Sequence, residues 1–361
     1  MTNGQVSVMK KPTAIAATST MKAARIHQYG QPLVVEEVPR PTPGHGQILV
    51  KVVGAGFCHS DLHVMDGEIP ILPRLPLTLG HENAGVVAEV GEGVSRAHVG
   101  ENVAIFGGWG CGHCDYCVSG REQMCETPAW AGLSEWDGGY AEYILVPDER
   151  HLVPLGDLDP RIAAPLTDAA LTPYRAIHKA LPFIEPDHKV LVIGIGGLGQ
   201  YCVKLLRILT GAEIIAVDVS QARLELAKEL GAAAALLAPG EELSREIREM
   251  THGGVGAAFD IVGSESSLAL ALSATRAGGK VTQLGLAGGT ARLKVMETNP
   301  WEVTFEATIW GTVRELREVV ALVRSGRLAP IATEFVPLDA INEAHDRLKR
   351  GQVEGRLVVT P

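Results

Sequence analysis

The sequence predicts two unlike halves, a β-rich barrel domain and a doubly wound parallel α/β sheet, and three observations carry that prediction. From Met21 onward, short apolar or alternating segments succeed one another between glycine and proline turns, the pattern of a compact all-β domain. Past Pro160 the chain changes to apolar strands spaced by helical stretches, the pattern of a parallel sheet. Within that second half, residues 189–218 read as strand, glycine turn, helix, strand and acid.

The elements follow in order. Strands are expected at Lys22–His27, Leu33–Val38, Gln47–Ala55, Gly85–Val90, Asn102–Phe106 and Tyr140–Val146. Ala163–Leu181 reads as one helix. Strands at Ala234–Leu237, Ala258–Val262 and Lys280–Leu284 alternate with helices at Gln221–Leu230, Glu241–Met250 and Ser267–Ala274. Thr304–Ile309 fits a sixth strand of that sheet. After a helix at Leu316–Ser325, the short β segment Arg356–Val359 suits a return to the first domain. Residues 1–20 carry no acidic residue and neither an Arg-rich nor an apolar leader pattern, and are expected to be a disordered tail.

Composition narrows the function classes. A chain of 361 residues suits about two domains. The net charge of -10 argues against nucleic acid and anionic membrane as partners. No apolar run reaches the roughly 18 residues of a membrane span. Four of the six cysteines lie between Cys111 and Cys125. That crowding suits a metal site in a reducing compartment, hence a cytoplasmic protein, better than a disulfide framework.

Three motifs carry chemistry. Gly194, Gly196, Gly197 and Gly199 form a G-x-G-x-x-G turn between strand and helix. Glycine there allows a tight turn and close approach of backbone to a pyrophosphate, and the helix N-terminus offers amides to the phosphates. Asp218, nineteen residues past Gly199, stands where a ribose hydroxyl would donate to it. A carboxylate there would repel a 2′-phosphate, so NAD is the expected cofactor. Cys111, Cys114, Cys117 and Cys125, spaced C-x2-C-x2-C-x7-C, suit a closed structural zinc site, with an iron–sulfur site as the rival. Cys58 and the His81-Glu82 pair lie on either side of a proline-rich loop, with Asp168 further on. Cys58, His81 and Asp168 would complete a three-ligand metal site with an open position. Each also reads as an ordinary buried thiol, core histidine or cap aspartate, and spacing alone leaves both readings open.

From about Met21 to the C-terminus, the chain resembles the zinc-dependent medium-chain alcohol dehydrogenases. The resemblance rests on Gly80-His-Glu-Asn-Ala-Gly-Val-Val87, then the four-cysteine lobe, then the glycine fingerprint. The run Pro165-Leu-Thr-Asp168-Ala-Ala-Leu-Thr172-Pro-Tyr174 is similar to the bacterial secondary-alcohol enzymes in particular. The resemblance implies a GroES-like, partly open β-barrel catalytic domain at 21–165 and 313–361, with a dinucleotide domain at 166–312. It implies that Cys58, His81 and Asp168 hold a catalytic zinc, where many members have a cysteine in place of Asp168, with Glu82 beside it. Ser60 and His63 fall where the family carries a proton relay. Arg356 matches a pyrophosphate-binding arginine, His59 a phosphate contact and Thr172 a nicotinamide neighbour, while Arg223 would flank the adenine. Trp310 matches a substrate-cleft position, and Trp109 is a second candidate there.

The implied reaction is reversible oxidation of an alcohol to a ketone or aldehyde, with NAD taking the hydride and zinc acidifying the alcohol. The implied enzyme holds two zinc ions and is a homodimer or homotetramer joined at the sixth-strand edge. A secondary alcohol, apolar or aromatic, is expected as substrate. The rivals are a polyol or formaldehyde dehydrogenase, a zinc-free reductase of the same fold, and a non-catalytic NAD(H)-sensing or structural protein.

Overall fold

The structure, a computed structural model, describes residues 19–185, 187–240, 242–291 and 301–361. The expected N-terminal tail therefore lies almost wholly outside the described residues. By their contacts these residues form two compact units. The first runs to Asp168 and takes in Gly311–Ala321 and Thr333–Pro361, and the second comprises Ala169–Trp310 and Leu322–Ala332.

In the first unit, Tyr143–Val146 alternates between buried and half-buried residues, while the central strands Ile48–Gly56 and Glu82–Val90 are buried on both faces over most of their length. One sheet runs in the order Thr333–Pro337, Arg356–Thr360, Ile48–Gly56, Glu82–Val90, Asn102–Ile105, Leu152–Pro154. Tyr143–Val146 also pairs with Ile48–Gly56. A smaller sheet orders Val34–Pro39, Thr20–Ile26 and Leu77–Thr78. Between them lies one core that includes Ile26, Ile48, Phe57, Leu79, Ile105 and Tyr140, all essentially buried. Each large apolar side chain so buried is worth about 1.5–3 kcal/mol. The C-terminal strand reaches this sheet by pairing Val358 with Gly56 and Val359 with Ala55.

The second unit holds six described strands, all parallel, in the order Ala234–Leu237, Glu213–Asp218, Lys189–Ile193, Val255–Asp260, Thr275–Gln283, Thr304–Ala307. In chain order this is 3-2-1-4-5-6, and the direction of winding reverses between the strands Lys189–Ile193 and Val255–Asp260. A doubly wound sheet binds ligands at that crevice, at the carboxyl ends of its strands. Val255–Asp260 is buried along its whole length, as a central strand covered on both faces must be.

Two expectations change. The single helix read over Ala163–Leu181 is broken. Pro160–Ala163 is α-helical, Ala164–Thr167 is 3-10, and the helix resumes only at Leu171–Ala180. Pro165 cannot donate to a helical ladder, and Asp168 adopts φ -140° and ψ -59°, outside the helical range. The break puts Asp168 at a corner of the chain instead of within a helix. The segment 322–332, read with the first domain, groups with the second unit. Within it the Pro330 carbonyl accepts a hydrogen bond from Lys204 and the Ile331 amide donates one to the Tyr201 hydroxyl.

Candidate active site and metal centres

In the second unit, the strand Lys189–Ile193 leads into Gly194, whose φ of 91° lies in the left-handed region that favours glycine. The Gly194 amide donates to the Val217 carbonyl at 2.8 Å. At Gly199 a Cβ would overlap the Gly194 carbonyl oxygen, so the helix Gly197–Leu209 packs against the turn only because the residue is glycine. Gly196, the N-cap of this helix, brings no side-chain cap to its first amides, which suits an anion. Asp218 is buried and bound to the same turn. Its Oδ2 accepts from the Ile195 amide at 2.6 Å and its Oδ1 from the Ser220 amide at 2.9 Å. Arg223 Nη1 stands 4.0 Å from Asp218 Oδ2. Thr172 is buried in the first turn of Leu171–Ala180.

In the first unit, Cys58, His81, Glu82 and Asp168 are all buried and present their ligand atoms within one group. Cys58 precedes the helix His59–Met65, His81 lies just before the strand Glu82–Val90, and Asp168 sits at the broken helix. Cys58 Sγ lies 3.6 Å from Asp168 Oδ2, and His81 Nε2 lies 3.7 Å from the same oxygen. Donors bound to one tetrahedral ion at about 2.0–2.3 Å stand about 3.3–3.8 Å apart, so the donor set fits zinc. Asp61, fully buried, accepts from His81 Nδ1 at 3.2 Å, from the Tyr140 hydroxyl at 2.7 Å and from the Cys58 amide at 3.1 Å. A carboxylate can only accept, so Nδ1 carries the proton and the Nε2 lone pair faces the other ligands.

Electrostatics favour the ligating thiolate of Cys58, whereas the second proton they favour on His81 is one that a bound cation would have to displace. Burial alone would depress the His81 imidazole, but the facing Asp61 carboxylate holds it well above its ordinary range. Burial opposes ionisation of the Cys58 thiol, yet the Arg356 guanidinium and His81 bring it below the usual thiol value. Glu82 pairs with Arg356, whose Nε donates to Oε2 at 3.1 Å and whose Nη2 donates to Oε1. Arg356, expected at a pyrophosphate, is 4% exposed and committed to Glu82. The guanidinium's planar fork matches that carboxylate, which anchors it there.

Ser60 places its hydroxyl 3.4 Å from His81 Nε2. His63, one turn on, holds Glu68 through Nδ1 at 2.6 Å and is partly exposed. His59 is exposed at the start of the same helix.

The four lobe cysteines also converge. Cys111 and Cys117 sulfurs are 3.9 Å apart, as are Cys114 and Cys125 sulfurs. The Cys111, Cys114 and Thr127 amides donate to sulfurs at 3.3–3.4 Å. Behind the lobe, Glu122 accepts from His151 Nε2 at 2.9 Å, from Arg150 Nε at 3.1 Å and from the Gly110 amide at 3.2 Å. Burial resists its charge, but His151 and Arg150 hold the Glu122 carboxyl down at about 2. Cys202, the remaining cysteine, is a fully buried thiol in the second unit, pushed up by burial.

Trp109 corrects an expectation. It is fully buried and meets Trp136 edge-on in the core of the first unit, so it is a packing residue and not a substrate wall. Trp310 is 4% exposed and has a left-handed φ of 43°. Asp61 and Tyr140 leave little mark in the sequence, where an acid three residues after Cys58 reads equally well as a helix cap.

The comparisons with known proteins agree with this geometry. Residues 44–157 match the family model of the alcohol dehydrogenase GroES-like domain, and residues 197–325 match that of the zinc-binding dehydrogenases. An NAD-dependent alcohol dehydrogenase of Sulfurisphaera tokodaii is 37% identical over 94% of this chain and 100% of its own length. The crystal structure of the alcohol dehydrogenase from Aeropyrum pernix superposes with a TM-score of 0.87 at 36% identity, covering 94% of this chain and 100% of that one. Acetophenone reductase from Geotrichum candidum, solved with NAD, gives 0.84 at 32% identity over 95% and 97% of the two chains. The match of both family models, in the order of the two units, and the near full-length relatives place the chain in the zinc-dependent medium-chain alcohol dehydrogenase family.

Proposed function

We propose that the chain is an NAD-dependent zinc alcohol dehydrogenase that interconverts secondary, apolar or aromatic alcohols with their ketones. One observation carries the reading: Cys58, His81 and Asp168 converge in a buried cluster with the Ser60 hydroxyl beside it. The likeness to an acetophenone reductase supports the ketone class.

When bound, zinc supplies the charge that acidifies an alcohol hydroxyl, and NAD supplies the hydride acceptor. The protein's own residues do the rest. Asp61 fixes the His81 tautomer, and Tyr140 and the Cys58 amide fix Asp61. Arg356 neutralises Glu82, leaving one thiolate and one carboxylate as the charged ligands. Ser60 accepts the alcohol proton at its hydroxyl oxygen and gives up its own. His63, set by Glu68, would take that proton on to solvent once a ribose hydroxyl of bound NAD spans the gap between the two side chains. Asp218, held by the glycine turn, receives the ribose hydroxyls and repels a 2′-phosphate. The Cys111, Cys114, Cys117 and Cys125 lobe holds a second, closed zinc site. Two chains join through the edge strand Thr304–Ala307, near which Trp301, Phe305 and Ile309 are exposed.

The test is a panel of alcohols and ketones, polyols and sugars included, assayed with NAD and NADP on zinc-loaded protein. Secondary apolar or aromatic alcohols with NAD should give the highest kcat/KM. Faster turnover of polyols, or equal efficiency with NADP, contradicts the reading.

A further inference from the structure

The loop that leaves the central strand Val255–Asp260 is built around an acid the mechanism above does not use. Asp260 is fully buried. Its Oδ1 accepts from the Val262 amide at 2.9 Å and from the Gly263 amide at 2.9 Å. Its Oδ2 accepts from the Ser267 hydroxyl at 2.9 Å. Ser267 Oγ in turn accepts from the Ser264 amide at 2.9 Å, and Ser264 Oγ accepts from the Ser267 amide at 3.2 Å. One carboxylate thus fixes both the loop 261–264 and the capped start of the helix Glu265–Ala274.

The loop is pinned on its other side as well. Leu284 and Gly285 amides donate to the Asp260 carbonyl at 2.8 and 3.1 Å. The Ala287 amide donates to Val262 and the Gly289 amide to Gly263, at 3.2 and 2.9 Å. Backbone meets backbone so closely that neither Gly263 nor Gly285 has room for a Cβ. Burial raises the Asp260 carboxyl, and its three donors work against that rise. An ionised carboxylate accepts at both oxygens, which is what three converging donors require. An amide presents an N–H₂ where the Ser267 hydroxyl or the two loop amides need an acceptor.

What the loop does with this rigidity follows from its neighbour. The Val262 side chain fills the space over Gly194, so that a Cβ on Gly194 would strike Val262 Cγ2. Val262 itself is 37% exposed. The strands that carry Gly194 and Val262 are the two between which the winding of the sheet reverses.

We propose that Asp260 is a positioning residue for the dinucleotide, holding Val262 and Gly263 as the wall of the crevice beside Gly194 without touching the cofactor. The proposal rests on the reading of the second unit as an NAD site. Its test is NADH binding to zinc-loaded, cofactor-free protein by fluorescence titration, with hydrogen exchange at the 261–264 amides.

In Asp260→Asn, NADH should bind about 10- to 100-fold more weakly, the loss expected for hydrogen bonds to a charged group. Its KM for NAD should rise while its KM for alcohol and its zinc content hold, and the Val262 and Gly263 amides should exchange faster. Ser267→Ala should shift the same quantities in the same direction by a smaller factor, and it decides the matter if Asp260→Asn does not fold. Folded variants with unchanged NADH affinity, or with equal losses for NAD and alcohol, overturn the inference while wild-type binding leaves the functional reading standing. A wild-type protein that binds no NADH overturns both.

Discussion

In the lobe, Cys111 to Cys125 bring four like donors from one short stretch of chain, whereas Cys58, His81 and Asp168 bring sulfur, nitrogen and oxygen from three separate elements. Backbone amides brace the lobe sulfurs directly, and two of its cysteines are partly exposed. The mixed cluster is wholly buried, and side chains orient it: Asp61 and Tyr140 behind His81, Arg356 behind Glu82. A set of four thiolates closes on its ion and has nothing left to offer a substrate. Three unlike ligands with a hydroxyl alongside leave a position for chemistry, and every outer contact then bears on reactivity. The same metal could therefore serve as a staple in one place and as a reagent in another, and the number and kind of its ligands would set which.

The largest effect is expected at Asp168. Asp168→Ala should abolish alcohol oxidation while NADH binding persists. Asp168→Cys should recover metal and part of the activity, because a thiolate keeps the charge of the site. Steady-state turnover and NADH titration read both outcomes. Ser60→Ala comes next, with an expected fall in kcat of roughly 10²–10⁴-fold. His63→Gln should fall less and should alter the pH profile of kcat, because a second proton acceptor is lost.

At the lobe the effect should appear as stability. Cys114→Ser should lower the melting temperature by roughly 5–10 °C, with turnover per folded molecule nearly unchanged. The smallest expected effect is at Glu122. Its folded pKa of about 2 lies below the unfolded value of roughly 4.3. Its contribution is therefore present above the unfolded value and is lost as the pH falls through about 2. Glu122→Gln should be less stable at neutral pH and should lose less on acidification across that window, as thermal melts at several pH values would record.

The same contrast decides what can be read from the chain alone. The lobe and the glycine turn are legible because their chemistry is local, with ligand spacing and turn geometry written within a few residues. The parallel sheet is legible because buried strands are continuous apolar runs. Cys58, His81 and Asp168 span 58 to 168, so no local spacing joins them, and only the family resemblance did. The apolar periodicity of Ala163–Leu181 runs through Asp168 and hides the break that aims it. Asp61 looks like a helix cap because it is one as well as the partner of His81. Arg356 pairs with an acid 274 residues away, and Asp260 organises a loop through backbone amides, neither of which leaves a pattern in composition. An aromatic next to a cysteine lobe gives no sign of whether it faces a cleft or, as Trp109 does, the core.

The central claim, that one cluster is a closed staple and the other a three-ligand reactive site, is tested most directly by zinc content per chain in the wild type and in Asp168→Ala. About two zinc ions are expected in the wild type and about one in the variant, the survivor held by thiolates. Two zinc ions in a folded Asp168→Ala protein, or iron in place of zinc in the lobe, would contradict it.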